Sequence, residues 1–413
     1  MSTDAPPIPD PLSASTRRLH EQWLRELTVL PTAAGREHRV IAWIEAWLSE
    51  RTDLALTRDD VGNMLIRHRD ADPSRPALLI TAHLDHPAFV VESIVGPQTL
   101  RLSFRGGVMD PYFEDAPIEI VTASGDVVSA TLLETGKADP FRDCLAELGG
   151  EADGIAVGDI ARWSMPQPEE IDGVWHTHAC DDLAAVAAAC AAMDELHGRE
   201  EARHVGLLFT LAEEVGFVGA VAACRSGFIP ADARCVLLEN SRAFEESPLG
   251  GGPIVRVGDR ISTFSPALTS AYAKLAEQIV ASRSDDAPFA WQRKLMPGGA
   301  CEATVYQAFG WESTCLCLPL GNYHNMADLT AVQAGDEQAV ATARCGREHI
   351  ALSDYHDLID LLIASGVCLA SVQPMTERLE RIYNERKVVL EDRSVFDATP
   401  DAEGATWGLG SGA

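Results

Sequence analysis

The chain has 413 residues, of which 46% are hydrophobic and 23% are charged, proportions typical of a globular protein with a full apolar core. These values exclude a disordered chain, a collagen-like chain and a small disulfide scaffold. The longest apolar stretch, residues 183–193, is too short to cross a bilayer, so a membrane is not an expected partner. The formal net charge of −29 repels phosphate backbones, which argues against nucleic acid as a partner.

The first residues, MSTDAPPIPDPLSAST, lack the basic and apolar segments of an export signal, and we expect them to form a flexible Pro-rich tail. The ten cysteines form no CxxC pair and no small-domain disulfide pattern, which predicts reduced thiols in a cytoplasmic protein. Most of them lie in apolar runs and are expected in the core rather than in catalysis. Cys180 and Cys301 lie nearest the candidate site described below.

Apolar spacing predicts helices at residues 16–30 and 35–50, then strands over LALT and MLIRHR, and a buried strand, ALLITA, at 77–82. Residues 87–172 have a different character, because runs of alternating hydrophobicity are broken there by Gly, Pro and Asp. That pattern predicts a β-rich domain inserted into the path of the main chain.

From residue 173 onward, predicted helices and strands alternate. The helices are expected at 181–198, before Gly227, at 269–282, at 301–310 and at 353–372 with Ser353 as its N-cap, and the strands at 204–212, 235–240 and 314–320. This order predicts an α/β fold with a mostly parallel mixed sheet flanked by helices on both faces. The α/β domain is expected to comprise 16–86 and 173–397, interrupted by the inserted β-rich domain at 87–172, and the tail after about 397 is expected to be loose.

Acidic and imidazole side chains stand where these predicted strands end or where a helix begins. They are His83 and Asp85 after ALLITA, Asp181 before the alanine-rich helix, Glu213 and Glu214 after 204–212, Glu239 at the end of 235–240, and His324 after 314–320. Because the carboxyl ends of parallel strands meet at one edge of a sheet, we expect these side chains to converge. Two imidazoles and several carboxylates predict a transition-metal site, and their number suits two ions better than one.

Residue chemistry suggests a role for several members of this set. Asp85 follows His83 by two residues and can accept its second ring N–H, while Asp181 has two oxygens and can bridge two ions. One of Glu213 and Glu214 can bind a metal while the other acts as a general base. Each motif alone is more often a helix cap or a solvated carboxylate, and only their joint order favours a site. GxSxG and Walker-type loops are absent from the sequence.

The sequence words HLDHPAFVV, DDLAAVAAA, LAEEVGFVGA, CVLLENSRA and LGNYHNMAD resemble the signature blocks of dinuclear zinc aminopeptidases, most of all the tetrahedral (glutamyl) aminopeptidase family. That family places an inserted β domain between the first two blocks, where this chain has a gap of 98 residues (181 minus 83). The resemblance implies that His83 and Glu239 hold one metal, that Glu214 and His324 hold the other, that Asp181 bridges them, that Glu213 is the general base and that Asp85 supports the site.

The same resemblance implies a cis peptide bond between Asp181 and Asp182. It also implies two divalent ions, with zinc as the first choice and cobalt or manganese as alternatives, and a homo-oligomer that associates through residues 87–172. The sequence departs from the family pattern at Leu183, at Glu239, at His86-Pro87 and in the GGACEA stretch. These departures bear on the substrate more than on the metals.

The sequence therefore predicts a dinuclear metal-dependent hydrolase that cleaves amide bonds, an aminopeptidase on short peptides in which Glu213 activates a metal-bound hydroxide. One alternative is an N-acyl amino acid amidohydrolase or carboxypeptidase-like enzyme, which Glu239 and the word NYHN favour. The other is a non-catalytic metal-binding interaction protein. His176 and His178 lie close to Asp181 in the sequence, and their role stays open between loop residues and further metal or substrate contacts.

Overall fold

The amino-terminal segment supplies two helices and the first three strands of a large sheet. They are α1 (Ala14–Leu27), α2 (His38–Ser49), β1 (Leu54–Arg58), β2 (Met64–His68) and β3 (Leu78–His83). The structure, a computed structural model, describes residues 6–369, residue 372 and residues 375–391. Ser13 begins α1 as its N-cap, because its hydroxyl accepts a hydrogen bond from the Thr16 N–H.

The residues before α1 are ordered where the structure describes them, so the prediction of a flexible tail is wrong for residues 6–12. Ile8 and Leu12 pack against the main hydrophobic core. The Arg283 guanidinium donates a hydrogen bond to the Pro9 carbonyl at 2.8 Å. Two apolar anchors and this bond outweigh the proline-rich composition, which gave no sign of them.

Residues 88–163 form a closed six-stranded barrel. Its strands are β4 (Ala88–Gly96), β5 (Thr99–Arg105), β6 (Pro117–Val121), β7 (Val127–Ala138), β8 (Arg142–Leu148) and β9 (Ile160–Trp163), closed in the order β4-β5-β8-β7-β6-β9. Aromatic rings fill its interior, with Phe89, Phe104 and Phe113 packed against Trp163 at centroid distances of 4.9–5.7 Å. The predicted β-rich character of this region agrees with the barrel, while the closure is new.

The chain after the barrel returns to alternating helices and strands. They are β10 (Glu169–Ile171), β11 (Val174–Thr177), α3 (Leu183–Leu196), β12 (Val205–Thr210), α4 (Val218–Ser226), β13 (Arg234–Arg242), β14 (Ile254–Gly258), α5 (Pro266–Ser282), β15 (Gln292–Leu295), α6 (Glu302–Ala308), β16 (Glu312–Leu320), α7 (Leu329–Gln333), α8 (Glu337–Ala341), β17 (Glu348–Ala351) and α9 (Leu352–Cys368). Short 3₁₀ helices occur at Asp110–Phe113, Glu200–Ala202 and Tyr323–Asn325. A separate unit, residues 373–413, contains α10 (Met375–Arg386) and α11 (Val388–Glu391).

The large sheet has eight strands in the order β1-β2-β12-β3-β13-β16-β14-β15. Its central strands β12, β3, β13 and β16 run parallel to one another, while β1, β2 and β14 pair with antiparallel neighbours, so the sheet is mixed as predicted. Alternate residues of β3 enter different cores: Leu78 and Ile80 join the core with α3 and α9, and Leu79 joins the core with α4 and α6. Helices therefore cover both faces of the sheet.

Some predicted boundaries differ from the observed ones. Helix α9 begins at Leu352 with Ala351 as its N-cap, so the prediction of Ser353 in that role is wrong; β17 runs directly into the helix. Strand β10 falls inside the predicted insertion but pairs with β11, which in turn pairs with β17. The domain boundaries at 87 and 172 stay a prediction, and the tail after about 397 lies outside the described residues. Within the described part of the chain, no helix has the length and apolarity to cross a bilayer.

Candidate metal centre

The predicted site residues come together at the carboxyl edge of the central strands. His83 is the last residue of β3, and Glu213 and Glu214 follow β12 after a two-residue link. The register of β13 pairs Leu237 with Thr81, so Glu239, two residues further on, is level with His83. Asp181 precedes α3 and His324 follows β16, and both are buried. Parallel register thus explains why residues from five distant segments meet.

The site consists of two groups of side chains that share one carboxylate. On one side, His83 Nε2 is 3.4 Å from Asp181 Oδ1 and 4.0 Å from Glu239 Oε1. On the other, His324 Nε2 is 3.5 Å from Asp181 Oδ2 and 3.4 Å from Glu214 Oε1. Each oxygen of Asp181 therefore serves a different histidine, as expected for a carboxylate that bridges two ions.

These separations fit metal ligands better than direct hydrogen bonds. Hydrogen bonds between these atom types span about 2.7–3.2 Å, whereas ligands held about 2.1 Å from a tetrahedral ion lie roughly 3.4 Å apart. Asp181 Oδ1 and Glu214 Oε1 are buried and have no hydrogen-bond partner. Two buried oxygens that lack a donor, facing imidazole nitrogens at ligand spacing, are what a cation would satisfy.

Both histidines present Nε2 to the centre because Nδ1 is engaged elsewhere. His83 Nδ1–H donates to the Asp85 carbonyl oxygen at 3.1 Å, and His324 Nδ1–H donates to the Gly107 carbonyl oxygen at 2.6 Å. A carbonyl partner at Nδ1 fixes the tautomer and leaves Nε2 as a free ligand atom. Gly107 belongs to the segment between β5 and β6, so the barrel region contributes directly to the orientation of His324.

Burial makes the group electrostatically costly without cations. It raises the pKa values of Glu213, Glu214 and Glu239 well above their ordinary range. Burial acts the same way on Asp181, but the adjacent His324 and His83 rings, 3.5 and 3.4 Å from its two oxygens, hold its pKa below the ordinary value. Without bound cations these three carboxyl groups favour the protonated, neutral form, and their ionised forms need compensating positive charge in the group.

Asp85 has a different position from the one predicted. Its carboxylate is 3.5 Å from His83 Nδ1, farther than the Asp85 carbonyl oxygen. The two carboxylate oxygens instead accept the backbone N–H groups of Glu213 and Glu214, at 2.9 and 3.0 Å. Asp85 thus positions the predicted base and a predicted ligand by their backbone.

The two residues before Glu213, Leu211 and Ala212, are held in the same way, by side chains that accept their backbone N–H groups. Leu211 N–H donates to Asn63 Oδ1 at 3.0 Å, and Ala212 N–H donates to Glu37 Oε1 at 3.0 Å. Glu37 is buried, and burial raises its pKa to about 7. Four consecutive N–H groups therefore end on side chains, which fixes a loop whose Ala212 adopts a positive φ of 52°.

Sequence reasoning missed several residues that support the ligands. Asp182 accepts the His83 N–H and an Asn240 side-chain hydrogen bond, and the Asp181–Asp182 peptide bond is cis, as the family resemblance implied. The Glu348 carboxylate accepts the N–H groups of Asp181 and His324. Asn240 directly follows Glu239 and so carried a signal, while nothing in the local sequence of Glu348 pointed to the site.

Neither His176 nor His178 joins the ligand groups found among the described residues. His176 stacks on His349 with a centroid distance of 4.6 Å. His178 faces the barrel, with Nε2 3.8 Å from Glu119 Oε1. Cys180, which the sequence placed near the site without assigning it to the core, is buried, and burial raises the pKa of its thiol well above the ordinary value.

The sequence was compared with known families and with curated proteins. The sequence profile described as M42 glutamyl aminopeptidase matches residues 62–338. The curated protein named "Putative aminopeptidase YhfE" of Bacillus subtilis (strain 168) is 25% identical over 217 residues, which cover 48% of this chain and 62% of that protein. The matched region thus spans less than two thirds of the relative's length.

Solved structures share the fold at low sequence identity. A TET aminopeptidase from the marine sediment archaeon Thaumarchaeota archaeon SCGC AB-539-E09 superposes with a TM-score of 0.68 at 19% identity, over 86% of this chain and 100% of that one. Aminopeptidase APDkam598 from Desulfurococcus kamchatkensis gives 0.67 at 20% identity, over 86% and 98%. The Pyrococcus horikoshii TET1 peptidase gives 0.66 at 20%, over 84% and 99%. By the profile match, which covers more than half of its length, the chain belongs to the M42 glutamyl aminopeptidase family.

Proposed function

We propose that the protein is a dinuclear metal-dependent aminopeptidase that acts on short peptides. The observation that carries this proposal is the pair of histidine–carboxylate groups that share Asp181, one at each of its oxygens. His83, Glu239 and Asp181 would hold one ion, and His324, Glu214 and Asp181 the other. Imidazole and carboxylate ligands suit zinc, with cobalt or manganese as alternatives.

Glu213 is the proposed general base. A pair of divalent ions, when bound, polarises a carbonyl and lowers the pKa of water toward neutrality. Glu213 lies in the buried ligand cluster with His83 and Glu214, its carboxylate is not needed as a ligand in either group, and its N–H is fixed by Asp85. Its carboxylate would accept the proton of the attacking water and then deliver it to the leaving amine.

A cavity of about 450 Å³ opens beside Glu239 and provides room for a substrate side chain. Its wall includes Arg256 and Arg242 together with apolar groups such as Met296. Arg256 is 2% exposed and donates only to neutral oxygens, those of Ser241, Gly258 and Gly299. Among the described residues neither arginine forms an ion pair with a carboxylate, although the chain as a whole is strongly acidic.

Two guanidinium groups without a carboxylate partner favour an anionic substrate group in this cavity. We infer that the preferred peptides begin with glutamate or aspartate. The same cavity would also accept the α-carboxylate of an N-acyl amino acid, which keeps the amidohydrolase as the second candidate function.

A substrate panel with an Arg256→Met variant separates these possibilities. We expect metal-loaded protein to hydrolyse glutamyl and aspartyl anilides at least ten times faster than leucyl or lysyl anilides. A hydrogen bond to a charged group contributes about 1.5–3 kcal/mol, so the variant should lose roughly 10- to 100-fold on the acidic substrates and little on the leucyl one. A preference for N-acetylglutamate would favour the amidohydrolase, and equal losses on all anilides would contradict the role of Arg256.

Elemental analysis tests the metal part of the proposal independently of activity. Purified protein dialysed against zinc, cobalt or manganese is expected to retain two ions per chain. Retention of none would contradict the proposed centre.

We also propose self-association through residues 87–172. The support is the family resemblance together with one similar solved structure, PhTET1-12s, which is a dodecamer. Sedimentation velocity over a range of concentrations is expected to show an oligomer, and a monomer at every concentration would contradict this.

A further inference from the structure

Three backbone N–H groups of the candidate centre converge on the carboxylate of Glu348. Oε2 accepts the N–H groups of Cys180 and Asp181 at 2.7 and 3.0 Å, and Oε1 accepts the N–H of His324 at 2.8 Å. Glu348 is fully buried at the start of β17, beyond the residues that the family profile matches. One side chain therefore joins the backbone of the bridging residue to the backbone of a histidine ligand.

A second connection joins the same two segments from the carbonyl side. The His86 ring lies between two oxygens, with Nδ1–H donating to the Asp181 carbonyl and Nε2 3.0 Å from Asn325 Oδ1. Asn325 is oriented by its own amide, which donates to the carbonyl oxygens of His178 and Gly346. The Asp181 N–H is thus joined to the segment of His324 through Glu348, and the Asp181 carbonyl is bonded to the His86 ring, which lies against the same segment at Asn325.

The two histidines differ in what else holds them. His83 and Glu239 belong to β3 and β13, neighbouring strands whose spacing is fixed by the sheet. His324 lies in an irregular turn in which Asn322, His324 and Asn325 all have φ between 53° and 63°. Non-glycine residues keep such conformations only when their surroundings impose them. The Glu348 carboxylate, which accepts the His324 N–H, and the His86 ring, which contacts Asn325, provide that constraint.

We propose that Glu348 and His86 are positioning residues that together set the spacing between Asp181 and His324. This inference rests on the proposed metal centre and deepens it. Glu348 and His86 would determine how tightly one of the two ions binds, namely the ion held by His324, Glu214 and Asp181. The ion held by His83 and Glu239 depends on the sheet and should be insensitive to them.

The test is a titration of metal-free protein with cobalt(II), followed by calorimetry and by visible absorption. In Glu348→Gln, one carboxylate oxygen becomes an NH₂ group, which cannot accept a hydrogen bond from the backbone N–H that it faces. The connection between Asp181 and His324 through residue 348 is therefore broken, while the one through His86 remains. Loss of a group that orients metal ligands costs about 10- to 100-fold in affinity. We expect one binding step to weaken by that factor while the other stays within about threefold of wild type.

Single-site variants identify which ion is affected. The spectrum of singly loaded Glu348→Gln should match that of His324→Ala, which keeps the His83 group, and should differ from that of His83→Ala. Asp354→Asn is the matched control, because Asp354 is a buried carboxylate that accepts the N–H groups of Gly250 and Gly252 outside the centre. That variant should bind two ions with wild-type affinity even if it unfolds at a lower temperature.

Each outcome decides the inference. Two wild-type affinities in Glu348→Gln, or equal weakening of both steps, would overturn it. If circular dichroism shows that Glu348→Gln does not fold, His86→Leu, which opens the other connection, decides by the same titration. Wild-type protein that binds no cobalt would instead contradict the proposed function, so the two failures are distinguishable.

Discussion

At the scale of single residues, Glu213 differs from its neighbours because it lies beside His83 and Glu214, while the two groups that share Asp181 each reach three ligands without it. Replacing it by glutamine keeps the size of the side chain and removes its capacity to accept a proton. General-base catalysis contributes about 10²- to 10⁴-fold. We expect Glu213→Gln to lose peptidase kcat by that factor and to retain both ions, measured by steady-state kinetics and elemental analysis on the same sample.

Glu277→Gln, on the exposed face of α5, is the matched control and should keep full activity. If Glu213→Gln loses a metal ion along with its activity, Glu213 is a ligand and the assignment of the base is wrong. If it keeps wild-type kcat, a different group moves the proton.

The sequence allowed the ligands to be predicted because each follows an apolar strand or precedes a helix, and such positions share one edge of a parallel sheet. The residues that orient them could not be predicted in the same way. Glu348 lies 167 residues from Asp181 and 24 from His324, and a buried carboxylate with backbone partners has no local pattern. Asp85 was recognised, but its bonds to the 213–214 backbone depend on loop geometry that alternation does not specify.

At the scale of elements, α4 packs against the loop that carries Glu213 with almost no clearance. Gly219 donates its N–H to the Leu211 carbonyl, and Asn63 bonds both the Gly219 carbonyl and the Leu211 N–H. A Cβ at Gly219 would lie 2.1 Å from the Leu211 carbonyl oxygen and 2.6 Å from its nitrogen. Both are backbone atoms, so the helix or the loop must move to accommodate a side chain.

Gly219→Ala is therefore expected to destabilise the protein by about 1–3 kcal/mol or more and to displace the loop, with a fall in activity of at least tenfold. Thermal unfolding and kinetics check both effects. Gly198→Ala is the control, because a Cβ there meets no atom within 4 Å, and it should change stability by roughly 0.5 kcal/mol or less. Similar behaviour of the two variants would contradict the close contact.

Helix α9 carries a second prediction, on pH. Burial raises the pKa of Asp357 to about 7, although its carboxylate accepts the Ala290 N–H at 3.0 Å. A raised pKa means that the folded state binds more protons than the unfolded state. The protonated Asp357 carboxyl group therefore contributes its full stabilisation below about pH 4, and that stabilisation is lost as the pH rises through 7. Asp357→Asn retains an acceptor and cannot ionise.

We expect Asp357→Asn to match wild type in stability near pH 3 and to exceed it by roughly 2–4 kcal/mol near pH 8, because each pKa unit corresponds to about 1.4 kcal/mol. Urea unfolding at both pH values measures this. Asp360→Asn, on the same helix, removes ion pairs to Arg17 and Arg283 and should lower stability instead. A difference between Asp357→Asn and wild type that does not change with pH would contradict the shift.

Elements made of continuous apolar runs were predicted closely, among them the alanine-rich α3 and the buried β3. The short strands β14 and β15 were missed, because at five and four residues they carry too little pattern to separate them from loops. Closure of the barrel could not be predicted either. Alternating hydrophobicity indicates that strands exist, while the pairing of β4 with β9 depends on the arrangement of all six.

At the scale of the whole molecule, the candidate centre concentrates negative charge inside a protein whose formal net charge is already −29. Asp181, Glu213 and Glu239 are all buried at the junction of β3, β13 and the barrel. Bound cations neutralise this group only in the folded state, because the ligands come from segments that are far apart in the unfolded chain. Metal binding is therefore coupled to global stability.

We expect removal of the ions with a chelator to lower the unfolding temperature of the intact protein measurably. A ligand at 100 times its dissociation constant stabilises the folded state by about 2.7 kcal/mol per site, so two ions contribute roughly 5 kcal/mol. Scanning calorimetry of chelator-treated, zinc-restored and sodium-treated samples at equal ionic strength measures this, and only zinc should restore the transition. Full restoration by sodium would show that general charge screening, rather than two bound ions, stabilises the acidic centre.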